Sequence, residues 1–157
     1  QRLAATLNAS VSLAKGKGTQ LTYLLVSAPP DPLRFMVSVG SNVRNLYATS
    51  AGKAFFASFP PEERKAMLSQ MELAPLTKAT ITSKKALLKD LEEGEARGWF
   101  MNREESVEDA LTISTRFTWN GSIYVLTAAG TLKRMERQLE SAVKSLRAAA
   151  DELKSSE

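Results

Sequence analysis

Apolar and polar positions alternate over residues 111–119, and the alternation resumes over 122–129. Between the two runs stands Asn120-Gly121, the preferred two-residue type I′ turn, so the pattern predicts a β-hairpin. A two-residue loop also fixes the register: Trp119 opposite Ser122, Phe117 opposite Tyr124, Thr115 opposite Leu126 and Ile113 opposite Ala128. That aromatic and aliphatic face is expected in the core. The other face sets Thr112, Ser114, Arg116 and Thr118 against Ala129, Thr127, Val125 and Ile123. Its far end, around Thr112, Ser114, Thr127 and Ala129, is small and hydroxylated. Such a face is either a half-solvated edge, the commoner case, or the floor of a ligand pocket. Arg116 is expected to reach solvent.

Further elements follow from the same patterning. Residues 1–7 read as the tail of a helix, and a first residue other than Met suggests a fragment of something longer. Strands are expected over 11–15 and 20–27 around the turn signal Gly16-Lys17-Gly18, then a proline-rich loop over 28–32, then a strand over 33–39 closed by Gly40. Helices are predicted over 46–58 and from Pro60-Pro61-Glu62-Glu63 onward. Residues 80–82 read as extended, and Ser83 caps a helix over 84–97 that Gly98 stops. A short strand over 99–102 precedes the hairpin. Leu132, Met135, Leu139, Ala142, Val143, Leu146 and Leu153 form one stripe of a terminal helix over 132–153, which either covers a sheet or pairs between subunits.

Composition narrows the function classes. A chain of 157 residues with 43% apolar and 24% charged positions is expected to form one domain over 1–157 with a real core. No apolar run approaches the roughly 18 residues of a membrane span, and no signal-peptide pattern opens the chain. Cysteine is absent, which suits the cytosol. Histidine is absent too, so Cys/His and Ser/His nucleophilic sites and Cys- or His-built zinc sites are excluded. Glu104-Glu105 remains as a carboxylate pair. Adjacent strand residues point to opposite faces, so capping or ion pairing at a strand end is the expected role. The net charge of +4 is mild and scattered among acids, which predicts solvated lysines and no direct grip on DNA.

One segment carries a sharper possibility. Over 46–57 a small polar run leads directly into a helix, and Thr49, Ser50, Ala51 and Gly52 have little bulk. The first N–H groups of a helix lack intrahelical partners and mark its positive end, so a carboxylate can approach them here. The ordinary alternative, favoured by the local sequence, is a helix start capped by Thr49 or Ser50.

The order of these pieces resembles a known family. Val39-Gly40, the Ala51-Gly52-Lys53-Ala54 helix start, Pro60-Pro61-Glu62-Glu63-Arg64, Leu76-Thr77 with Thr80-Ile81-Thr82, Gly98-Trp99 leading to Glu104-Glu105, and the Asn120-Gly121 hairpin are together similar to the effector-binding domain of IclR-type bacterial transcription regulators. The resemblance covers nearly the whole chain. It implies a GAF-like (profilin-like) α/β fold, with a central antiparallel sheet flanked by helices and a long C-terminal helix. It also implies a cytoplasmic homodimer or homotetramer without cofactor or metal. DNA would be bound only through an upstream winged helix-turn-helix domain absent from this chain, under the control of a small metabolite.

Residue by residue, the resemblance implies effector contacts at Ser50 and Ala51 through backbone, and at Asn102, Thr112, Thr127 and Ala129. Asn102 stands where the family commonly has Asp, Thr112 where Cys is frequent, and Ala129 where a hydroxyl is often present; Asp109-Ala110 replaces a usual glycine. These departures imply a ligand unlike the small 2-oxo acids, larger or aromatic, such as an organic or aromatic acid, with Phe35, Met36 or Tyr47 as apolar wall. The other readings are an oligomerisation domain that has lost its ligand and, less favoured, an enzyme on the same scaffold. Whether the Thr112–Thr127 face opens onto a cavity separates the first of these from an effector sensor.

Overall fold

An antiparallel sheet is assembled around the Asn120-Gly121 hairpin. The computed structural model describes residues 1–29 and 37–156. In chain order the elements are α1 (Arg2–Leu7), β1 (Ser10–Lys17), β2 (Gln20–Ser27), a 3₁₀ turn (Leu46–Ala48), α2 (Ser50–Phe56), α3 (Pro61–Ser69), α4 (Lys84–Arg97), β3 (Phe100–Arg103), β4 (Ala110–Trp119), β5 (Ser122–Thr131), α5 (Leu132–Arg137) and α6 (Leu139–Ser155). The strands lie in the order β2-β1-β5-β4-β3, every neighbouring pair antiparallel. All four hairpin pairs expected from the loop length are present, and the turn has positive φ at both Asn120 and Gly121, as type I′ requires.

Helices cover both faces. On one face, Ile113, Leu126 and Ala128 of the hairpin pack against Met135, Ala142, Leu146 and Ala150. The spacing of Ala142, Leu146 and Ala150 lays one side of α6 along the sheet, so the terminal stripe covers a sheet here. Each fully buried aliphatic side chain in this layer contributes about 1.5–3 kcal/mol relative to exposure. On the other face, α2 sits on Ala14, Leu21, Phe100 and Val125 through Ala51, Ala54 and Phe55. Its far side packs Phe56 among Leu68, Leu87 and Leu91 of α3 and α4. A helix with every residue buried therefore lies between the sheet and an outer helical layer.

Several boundaries differ from the sequence reading. The helix expected over 46–58 is two pieces: a 3₁₀ turn, then extended Thr49 (φ −120°, ψ 145°), then α2. Thr49 is the cap, its Oγ1 accepting from Gly52 N at 3.0 Å. The terminal helix breaks at Gln138, whose amide donates to Leu7 O at 2.6 Å and ties the break to α1. The first hairpin turns at Gly18-Thr19, since Lys17 still pairs with Gln20. Residues 80–82 form no strand; Thr80 instead closes a loop by accepting from the N–H groups of Leu76 and Thr77. The strand expected over 33–39 falls largely outside the described residues, as do Phe35 and Met36; residues 37–40 are irregular and turning.

Candidate functional site

The sheet register brings the hydroxylated end of the hairpin into two rows that cross four strands. Asn102 pairs with Thr112, Thr112 with Ala129, and Ala129 with Ser10. Two residues along, on the same face, Phe100 pairs with Ser114, Ser114 with Thr127, and Thr127 with Ser12. The first turn of α2 lies over these rows. Ser50 Oγ is 2.7 Å from Thr112 Oγ1 and 2.8 Å from Ser114 Oγ, and Ser114 Oγ is 2.7 Å from Thr127 Oγ1. Four hydroxyls thus form one continuous chain from helix to sheet.

Beside this chain is a cavity of about 180 Å³. Ser50, Ala51, Asn102, Thr112, Thr127 and Ala129 all line it, so the structure brings together the six residues singled out from the sequence. Among the described residues, the hydroxylated face opens onto this cavity. Ser10, Ser12, Tyr23, Val26, Val37 and Ser106 complete much of the wall. Tyr47, expected as apolar wall, lies elsewhere: it packs in the helical layer and its hydroxyl donates to Ala74 O at 2.7 Å.

Asn102 is held rigidly. Its Oδ1 accepts from Glu105 N at 2.8 Å, which fixes the amide orientation, and its Nδ2 donates to Ser106 Oγ at 2.8 Å. Among the described lining residues Tyr23 is the only ionisable one, and burial pushes its phenol up, so it stays neutral. The cavity therefore presents hydroxyls, one carboxamide and a helix start.

Behind the cavity lies an ionic cluster that the sequence reading missed. Lys53 is fully buried and donates to Met101 O at 2.9 Å, with Asp90 at 2.7 Å and Glu105 at 2.6 Å. It joins α2, α4 and the turn after β3. Its lysine was expected on a solvated surface. The signal that could have found it is its setting among Ala51, Ala54, Phe55 and Phe56, because a helix apolar on all sides is a buried one. Glu105 forms an ion pair, as expected of the acidic pair. Glu104, at φ 58°, accepts from Asp109 N at 3.0 Å. Burial pushes the Glu105 carboxyl above its usual range, aided by the charge of Asp90 and opposed by Lys53. Arg116, expected in solvent, is half-buried: it donates to Ala54 O and pairs with Glu95 at 3.4 Å, over the ring of Phe100. Burial lowers its pKa from the ordinary arginine value, with Glu95 acting against that shift.

The family described as bacterial transcriptional regulator IclR C-terminal matches residues 1–155. The chain belongs to the IclR family. The HTH-type transcriptional regulator Rv1719 of Mycobacterium tuberculosis is 36% identical over 106 residues, covering 68% of this chain and 40% of that protein. The crystal structure of IclR from Thermotoga maritima superposes with a TM-score of 0.89 at 23% identity, covering 98% of this chain and 63% of that one. An IclR homolog from Microbacterium hydrocarbonoxydans, solved in complex with 4-hydroxybenzoate, superposes at 0.85 with 22% identity, covering 98% and 62%. The chain thus spans between two fifths and two thirds of the length of these relatives. IclR proteins are transcriptional regulators, not enzymes, which sets aside the enzyme reading. The structural likenesses establish the fold: a five-stranded antiparallel sheet flanked by helices, as the resemblance implied.

Proposed function

We propose that this IclR C-terminal domain is an effector sensor, with a small organic molecule held between the sheet and the start of α2. The observation that carries the reading is the convergence of Ser50, Ala51, Asn102, Thr112, Thr127 and Ala129 on one cavity. Its volume, about 180 Å³, is more than ten times the ~10–15 Å³ one water needs, yet below the ~300–1,000 Å³ of sites for drug-sized ligands. A small metabolite matches it. The Thr49 cap uses the Gly52 N–H, and the Ser50 and Ala51 N–H groups stand first in the helix, where a carboxylate or carbonyl oxygen is the fitting partner. The complex of a structural neighbour with 4-hydroxybenzoate supports an aromatic acid as one candidate. Occupancy would then alter DNA binding by a winged helix-turn-helix region of the whole regulator, acting in the cytoplasm as a homodimer or homotetramer.

The test is thermal melting of the domain with pyruvate, glyoxylate, benzoate, 4-hydroxybenzoate and gluconate. A ligand at 100 times its Kd adds about 2.7 kcal/mol, a rise of several degrees for a chain of this length. Ser50→Pro, tolerated in a first helical turn, and Thr112→Val should each abolish the rise. No rise with any of the five, together with a defined oligomer by light scattering, would replace the sensor with an assembly domain.

A further inference from the structure

The hydroxyls beside the cavity can be counted proton by proton. They run Thr112–Ser50–Ser114–Thr127, with oxygen–oxygen contacts of 2.7, 2.8 and 2.7 Å. Each hydroxyl brings one proton and each contact uses one, so a single proton is left over. Ser50 and Ser114 are 1% and 0% exposed, and each already touches two hydroxyls. A spare proton on either would be buried without an acceptor, which is costly. The spare therefore belongs to Thr112 or Thr127, the two ends of the hydroxyl chain.

Both ends line the cavity, and among the described residues neither hydroxyl has a partner beyond its neighbour in the chain. Thr112 and Thr127 are diagonal neighbours on paired strands, ~7–8 Å apart, in a space of about 180 Å³. A ligand that fills this space meets both. With one spare proton, only one end can donate to it. When Thr112 donates outward, every bond in the chain points toward Thr112 and Thr127 turns its proton inward. When Thr127 donates outward, all three bonds reverse. In either direction the other end can only accept.

We propose that this hydroxyl chain selects the effector by polarity: the ligand offers an acceptor to one threonine and a donor to the other. A small hydroxy acid with an un-ionised hydroxyl meets that requirement. A molecule with acceptors at both ends leaves one threonine mismatched. Ser114 is fully buried and outside the cavity lining, so it acts as a positioning residue that ties the two ends together without touching the ligand. This rests on the sensor reading above and gives it a ligand class.

Cutting the hydroxyl chain frees a second proton. Without the Ser114 hydroxyl, Thr112 and Ser50 share one bond and keep one spare proton, while Thr127 keeps its own, so both ends can donate at once. Ser50→Ala has the same consequence, because it leaves Thr112 alone and Ser114 bonded to Thr127. In calorimetric titrations the wild type should bind 4-hydroxybenzoate about three- to tenfold more tightly than 4-formylbenzoate, whose second polar group only accepts; that is the worth of one hydrogen bond. In Ser114→Ala and Ser50→Ala the ratio should fall to within about twofold, even where both affinities drop. Loss of packing alone would weaken both acids and leave the ratio standing. Equal affinities in the wild type, a preference for the formyl acid, or a wild-type preference that survives in either variant overturns the inference and leaves the sensor in place. So does a thermal response to pyruvate, glyoxylate or benzoate with none to 4-hydroxybenzoate or gluconate. Failure of all these compounds to bind the wild type removes the sensor and the inference together.

Discussion

Lys53 and Glu105, 52 residues apart in sequence, meet at 2.6–2.8 Å in the interior, and the N–H of the same Glu105 donates to Asn102 Oδ1 in the cavity wall. The ammonium is fully buried and also faces Asp90, so one cation serves two carboxylates and a carbonyl. Removing it strands both acids. Lys53→Met should cost about 3–5 kcal/mol, because a buried charge left without its partner is far more expensive than the pair was favourable. Urea denaturation should show the loss as a lower midpoint. A variant within 1 kcal/mol of wild type would mean that the acids turn to solvent on their own, and that the cluster does not brace the cavity.

The same cluster sets a pH dependence. Burial raises the Glu105 carboxyl above its ordinary value of 4.5 more than Lys53 lowers it. A raised folded-state pKa means that the native protein holds its proton more tightly than the unfolded chain does. This group's contribution to stability is therefore fully present below about 4.5 and is lost as pH rises toward the higher folded value. Chemical denaturation measured from pH 4 upward should show this negative slope superimposed on the other titrations, and Glu105→Gln should remove it. Parallel profiles for the two proteins would contradict the shift.

Legibility in the sequence followed the range of the interactions. The β4–β5 register was readable because a two-residue Asn-Gly turn and period-two patterning act within 20 residues. α4 was readable from its caps, Ser83 and Gly98, whose bonds are equally local. The Thr49 cap was legible in the small polar run before α2, whereas the break at Gln138 was hidden: apolar spacing runs on across it, and it is tied to Leu7 by a tertiary bond. In the site, the hairpin alone placed Thr112, Thr127 and Ala129 on one face. Ser10 and Ser12 joined them only through the pairing of β1 with β5, which no local pattern encodes. The burial of Lys53 was legible in its apolar helix, but its ion pairs were not, since both its acids lie on distant elements.

Arg64 closes the other end of α2. Its guanidinium donates to Ala57 O at 3.0 Å and Phe59 O at 3.2 Å, and reaches Glu95 at 3.2 Å, while the residue is 5% exposed. These carbonyls follow the last turn of α2 and have no intrahelical donors. Arg64→Ala should destabilise by roughly 2–3 kcal/mol through the stranded carbonyls and lost packing. Arg64→Lys should recover little of it, since an ammonium lacks the planar fork that spans several acceptors. Recovery of wild-type stability by lysine would reduce the role of Arg64 to its charge.

Gly52 ties helix packing to the cavity. A Cβ at this position would fall 2.0 Å from Leu46 O and 2.4 Å from Leu46 Cα, both backbone atoms that no rotamer change can clear. Gly52→Ala must therefore push α2 away from the 3₁₀ turn. Although alanine is the better helix former by ~1 kcal/mol, overpacking of this severity should dominate, with a net loss of about 1–3 kcal/mol or more. The displacement would also carry Ser50 away from Thr112 and Ser114, whose oxygens lie 2.7 and 2.8 Å from its own. Stability and ligand response should consequently fall together in Gly52→Ala. By contrast, Gly18→Ala, with nothing within 4 Å of its Cβ, should show only the strain of its positive φ and leave the ligand response intact. Thermal melting of both variants, with and without a stabilising acid, distinguishes the two. A Gly52→Ala domain with unchanged melting temperature would show that α2 can slide along the 3₁₀ turn, and the cavity volume would then be adjustable.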